Sequence, residues 1–160
     1  MKYYYIEPEI AGGLGEQTAI ERDFHPPVVK KLNYEFDLWP EDALIESFPC
    51  WIVTASAMHQ IEVNGLTGTE FADVKTTLSE ELKLQHPNRK LPEFVWLKVV
   101  GTPGRDDFGV AKGSKITGSG APGSDRHFRL VISQHALDLL RKLGISHAEI
   151  EDFDWQTSLR

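Results

Sequence analysis

Apolar positions along this chain recur mostly with period two, and the pattern switches clearly to helical spacing in two places. Lys2 to Glu7 is aromatic and ends at Pro8, which predicts a paired strand. Ala11-Gly12-Gly13-Leu14-Gly15 predicts a flexible loop, and Glu16 directly after it would repel a phosphate. His25-Pro26-Pro27 forces extended backbone, because proline excludes the preceding residue from helix. Leu32, Tyr34 and Phe36 then alternate with Asn33 and Glu35 as a half-buried strand does. Pro40-Glu41-Asp42 has the composition of a helix start, which predicts a short helix over 40–47.

Cys50 to Val53 predicts a buried strand, with Thr54 placed to cap the next helix. Ala57, Met58 and Ile61 share one helical face, and Asn64-Gly65 supplies the stop. Gly68 to Val74 predicts one further strand, and Ser79-Glu80-Glu81 opens a short helix ending near His86-Pro87. Phe94 to Val100 is the strongest strand signal, apolar enough to be buried on both faces. Asp107 to Ala111 predicts a brief strand, and Phe128 to Ile132 predicts another strand. Ser133 caps a helix striped by Ala136, Leu137, Leu140 and Leu143, which Gly144 ends before a last strand, Ala148 to Phe153.

The two helical segments echo one another at an offset of 79 residues. Thr54 meets Ser133, Ala57 meets Ala136, Ile61 meets Leu140, Gly65 meets Gly144, and Glu70 meets Glu149. The shared pattern is strand, Ser/Thr cap, helix, glycine stop, strand, over about 48–74 and 127–153. A duplication explains it, and so do the generic needs of any strand–helix–strand unit. Both readings predict a single α+β domain over 1–160 with a mixed sheet, since a helix between strands is long enough for a crossover.

Composition narrows the function. A chain of 160 residues can bury a core without staples. Its single cysteine, Cys50, permits no internal disulfide, and its apolar setting predicts an inert thiol. The net charge of −7 disfavours nucleic acid as partner, because phosphate contacts need a basic face. The absence of a long apolar run or signal-like start predicts a cytoplasmic protein away from membranes.

Catalytic spacing is sparse. His59 and Glu62 share a helix face, but two ligands do not make a metal site, so neither metal nor cofactor is expected. Gly113 to Gly118 has nucleotide-loop spacing without the required lysine. Residues 101–126 are glycine-rich and read as a functional or mobile loop. One function is therefore a small hydrolase or transferase with that loop as lid, and Asp125 and His127 as acid–base candidates. A homodimer joined through an exposed strand edge is a further possibility. Glu149, Glu151, Asp152 and Asp154 cluster near the end, either as a solvated edge or as a docking surface for a basic protein.

Phe48-Pro-Cys-Trp-Ile-Val-Thr54, a helix, then Gly65-Leu-Thr-Gly-Thr-Glu-Phe71 resembles the closing signature of a family of bacterial immunity proteins. That family is typed by a Myxococcus xanthus protein and belongs to polymorphic-toxin loci. Phe128 to Phe153 resembles the same signature less closely. The resemblance implies an α+β immunity protein that occludes a cognate toxin and performs no catalysis. A nuclease with a basic groove is a suitable target for an acidic partner. The contact candidates are Glu70, Asp73, Glu149, Glu151, Asp152, Asp154 and Trp155, an aromatic anchor within a charged rim.

Overall fold

Residues 1–112 and 128–153 are described by a computed structural model of the chain. It is an α+β domain built on three sheets. Strands β1 (Tyr3–Glu7), β10 (Phe108–Lys112), β11 (Phe128–Ser133) and β12 (Glu149–Asp152) form a terminal sheet in the order β10-β11-β1-β12. Strands β5 (Leu44–Ser47), β6 (Cys50–Thr54), β7 (Thr69–Ala72) and β9 (Phe94–Val99) form a central sheet in the order β5-β6-β9-β7. An outer sheet joins β2 (Gly12–Leu14) and β3 (Ala19–Glu21) to the long β4 (Val28–Phe36), with β8 (Val74–Leu78) parallel to β4. Helices α1 (Ala55–Val63) and α3 (Gln134–Leu143) follow β6 and β11, and α2 (Glu80–Gln85) follows β8.

The echo in the sequence is an echo in space. The Thr54 hydroxyl accepts from Ala57 N–H at 3.1 Å, and the Ser133 hydroxyl accepts from Ala136 N–H at 3.0 Å. Gly65 and Gly144 both take positive φ where the two helices end. Thr54 pairs with Phe94 and Trp51 with Leu97, just as Ser133 pairs with Tyr3 and Leu130 with Ile6. On the other side Phe71 meets Leu97 and Ile150 meets Ile6. The hairpins agree too, Leu44 with Val53 and Phe108 with Ile132. No register slip separates the halves at these pairs.

The halves exchange their middle strands. β1 precedes the first strand–helix–strand unit in sequence, yet it lies between β11 and β12 of the second. β9 precedes the second unit and lies between β6 and β7 of the first. Both inserted strands are antiparallel to their neighbours, which makes each unit a split βαβ motif.

One core holds the two halves together. Ile6, Leu130 and Ile132 of the terminal sheet and Val53 and Leu97 of the central sheet pack with Ala57 and Ile61 of α1 and Ala136, Leu137 and Leu140 of α3. Burying each of the larger side chains contributes about 1.5–3 kcal/mol. A second core joins the far face of the central sheet, Ile52, Phe94 and Trp96, to Tyr34, Phe36 and Leu82 beneath the outer sheet. Phe94 to Val99 is thus covered on both sides, as its apolar run predicts. Cys50 is in that second core, and burial pushes its thiol up to about 12.

Three local expectations are corrected. Residues 44–47 are a strand, not part of a helix, because Leu44 and Ile45 are both fully buried as β5 pairs with β6. The stretch expected as one strand over 68–74 breaks at Asp73, and β7 and β8 enter different sheets. The glycine-rich segment 11–15 contains β2, paired with β4 rather than loose.

Gly12 and Gly13 are adjacent and opposite in demand. A Cβ at Gly12 would sit 1.9 Å from the Glu35 carbonyl oxygen, while one at Gly13 meets nothing within 4 Å. Gly12→Ala should therefore cost about 1–3 kcal/mol or more in urea unfolding, and Gly13→Ala should stay within about 0.5 kcal/mol. Equal losses for the two variants would contradict the β2–β4 pairing.

Candidate acidic binding site

The alternation along β12 divides its side chains between two faces. Ile150 packs against the main core, and Glu149 and Glu151 point to the other side. There they meet Glu7, the last residue of β1, and Arg129, the second residue of β11. Glu7, Arg129, Glu149, Ile150 and Glu151 line an open cleft of about 590 Å³.

Arg129 organises this cleft. Its guanidinium approaches Glu151 at 2.6 Å and Glu7 at 3.7 Å. The guanidinium carbon lies 3.9 Å from the centre of the Tyr5 ring, a cation–π contact. Only 19% of the arginine side chain is exposed, and its buried Nε has no hydrogen-bond partner among the described residues. The planar fork is held by packing and directed at carboxylates, an arrangement lysine cannot reproduce.

Among the described residues that line the cleft, three are acidic glutamates and one is basic. Glu7 and Glu149 are direct partners across the β1–β12 ladder. Like charges facing across a ladder destabilise it. The corresponding pair in the central sheet is Glu70 with Lys98, where the signs are opposite. Arg129 lies beside Glu7 but makes its short contact to Glu151. Among the described residues, Arg129 is the cation that pairs with Glu7 and Glu151.

The contact candidates from the sequence separate on this framework. Glu149 and Glu151 are in the cleft. Asp152 lies on the same strand, paired with Lys2 at 3.1 Å. Glu70 belongs to β7 of the other sheet, and Asp73 is the residue between β7 and β8. Asp154 and Trp155 lie outside the described residues, as do Asp125 and His127. The first part of the glycine-rich stretch is packed structure. Gly101 N–H donates to the Gly68 carbonyl at 3.2 Å, and a Cβ at Gly109 would sit 2.3 Å from the Pro103 nitrogen. The lid expected over 101–126 is therefore built structure as far as Lys112, and the rest lies outside the described residues.

Sequence reading missed Glu7 and Arg129, because only the non-local register of β1 brings them to β12. It also missed Glu46. Trp51 Nε1 donates to Glu46 Oε1 at 2.8 Å across the β5–β6 pair. Burial pushes the Glu46 carboxyl up to about 7; the Trp51 bond opposes this and the Glu7 charge adds to it. A different cluster gathers potential metal ligands: Glu9, Asp42 and His147.

No protein-family model and no curated protein matches this chain. No helix among the described residues is long and apolar enough to cross a membrane.

The Glu46 shift sets a pH dependence. Between its unfolded value of 4.5 and its folded value of about 7, the folded chain holds a proton that the unfolded chain has released. Stability from this group therefore falls as pH rises through that window and stays low above it. Glu46→Gln should remove this part of the decline in melting temperature between about pH 4.5 and 7. A variant that loses stability over that range as steeply as the parent would contradict the buried acid.

Proposed function

We propose that this chain is an immunity protein that neutralises a basic protein toxin by tight stoichiometric binding, in the cytoplasm and without chemistry of its own. The unbalanced Glu7–Glu149 pair in the Arg129 cleft carries this reading. A lysine or arginine from a partner would supply the charge that Lys98 supplies to Glu70 in the other half. Residues kept at a cost to stability are a mark of binding sites. The resemblance of 48–71 to the closing signature of toxin-immunity proteins supports the same reading, as does the net charge of −7. An acidic face steers association with a basic groove and sharpens its salt dependence.

The cleft also has the makings of a specific contact. A rigid arginine stacked on Tyr5 orders Glu151 in advance, so less side-chain freedom is lost on binding. Surface charges scattered singly would steer a partner without fixing its position.

The partner is found by capture from the native organism on tagged chain, washed at low and then high salt. One stoichiometric protein with a toxin-like domain, released by salt, is the expected result. Glu149→Lys then separates binding from folding. It should raise stability by about 0.2–1 kcal/mol, by making the β1–β12 pair complementary. It should also weaken toxin affinity at least tenfold at low salt, with the difference shrinking as salt rises. Undiminished affinity of Glu7→Lys and of Glu149→Lys would remove the cleft from the interface.

A further inference from the structure

We infer that Glu9, Asp42 and His147 form a binding site for one divalent transition-metal ion of the zinc class. The three come from distant segments: Glu9 follows β1, Asp42 precedes β5, and His147 lies between α3 and β12. One ligand atom of each lies within 4.8 Å of the others. His147 Nδ1 is 2.9 Å from Asp42 Oδ1 and 3.9 Å from Glu9 Oε2. A tetrahedral ion with bonds of about 2.0–2.2 Å keeps its ligand atoms roughly 3.3–3.6 Å apart. Both distances from His147 Nδ1 lie within about half an ångström of that spacing.

Charge and burial favour a cation here. The Asp42 side chain is 1% exposed and the Glu9 side chain 11%. Neither carboxylate has a lysine or arginine ion-pair partner among the described residues; His147 alone faces both. Neighbouring buried carboxylates repel in a medium that screens poorly. The imidazole is about half exposed, which leaves an ion a route from solvent. The carboxylates are held in place from behind. Glu9 accepts the N–H groups of Glu41 and Asp42, and Asp42 Oδ2 accepts His147 N–H at 2.9 Å. Such outer bonds orient metal ligands.

Hydrogen bonding alone does not require this set, as the other half of the fold shows. At the corresponding junction Asp107 accepts from Thr67 N–H at 2.9 Å and from Ser133 Oγ at 2.6 Å. At the register position of Asp42 that half has Asp106, whose Oδ2 accepts Thr102 N–H at 2.7 Å. Where the offsets of the two halves place Glu9 and His147, the other half has Val100 and Gly68. Glu9 and His147 are therefore additions to a junction that the other half closes with aspartates alone. Imidazole with two carboxylates suits a borderline ion such as Zn²⁺ better than Mg²⁺, which prefers all-oxygen octahedra.

The test is titration of chelator-treated chain with Zn²⁺ alone, read by calorimetry and by the imidazole proton resonances of His147. One ion per chain, a shift at His147 and a raised melting temperature are expected, with no competition from millimolar Mg²⁺. Glu9→Gln should lower zinc affinity at least tenfold while leaving the melting temperature in chelator near that of the parent. His147→Ala should lower affinity as much. Undiminished affinity in Glu9→Gln, or resonance shifts only at His25, His59, His86, His127 or His135, would overturn the assignment. Should His147→Ala fail to fold, the resonances of the parent chain still decide.

Discussion

A strand inside a sheet must have its N–H and C=O groups paired on both sides. β1 meets this condition only between β11 and β12, and β9 only between β6 and β7. Each half thus completes its sheet with a strand from the other half's stretch of sequence. The shared core and the cleft both follow from that exchange. Ile6 enters the main core because β1 is central, and Glu7 reaches Glu149 because the same strand ends there. The likeness of the halves is visible in side chains where packing demands it and gone at exposed positions. Ala57 and Ala136 are both fully buried, whereas Lys98 and Glu7 occupy matching places with opposite charge.

Local rules were legible in the residues, and long-range ones were not. The hydroxyl caps at Thr54 and Ser133 and the helix-ending glycines at 65 and 144 could be read because each depends on neighbours within a few positions. The offset of 79 was legible for the same reason. Pro40 and the acids after it were misleading, since they imitate a helix start while Asp42 serves His147 from 105 positions away. Gly12 looked like loop because its reason, the Glu35 carbonyl, lies on another strand. Of the binding site, Glu149 and Glu151 were legible as exposed acids on one face of a strand. Arg129 and Glu7 were not, because no short-range pattern reports which strand lies beside which.

Acidic residues serve two different ends in this fold. Around Arg129 they are open to water, so their mutual repulsion is softened and an incoming charge can compete for them. Around Asp42 they are enclosed, and backbone N–H groups hold them in position. The first arrangement suits a large partner that arrives by attraction over distance. The second suits a small ion that replaces the contacts it displaces. β12 lies at the edge of the terminal sheet, and its charges also discourage unplanned pairing with another chain.

The exchange of middle strands also governs how the chain is made. β1 is synthesised well before both strands that flank it, which come after residue 127. At about 5–20 residues per second, some 120 residues of synthesis keep β1 waiting roughly 6–25 s. During that interval its aromatic run Tyr3-Tyr4-Tyr5 has no neighbouring strand to join. The central sheet obtains β9 far sooner and can form as a platform while the terminal half is still being translated. Completion of the Arg129 cleft therefore waits on β12, which carries Glu149 and Glu151.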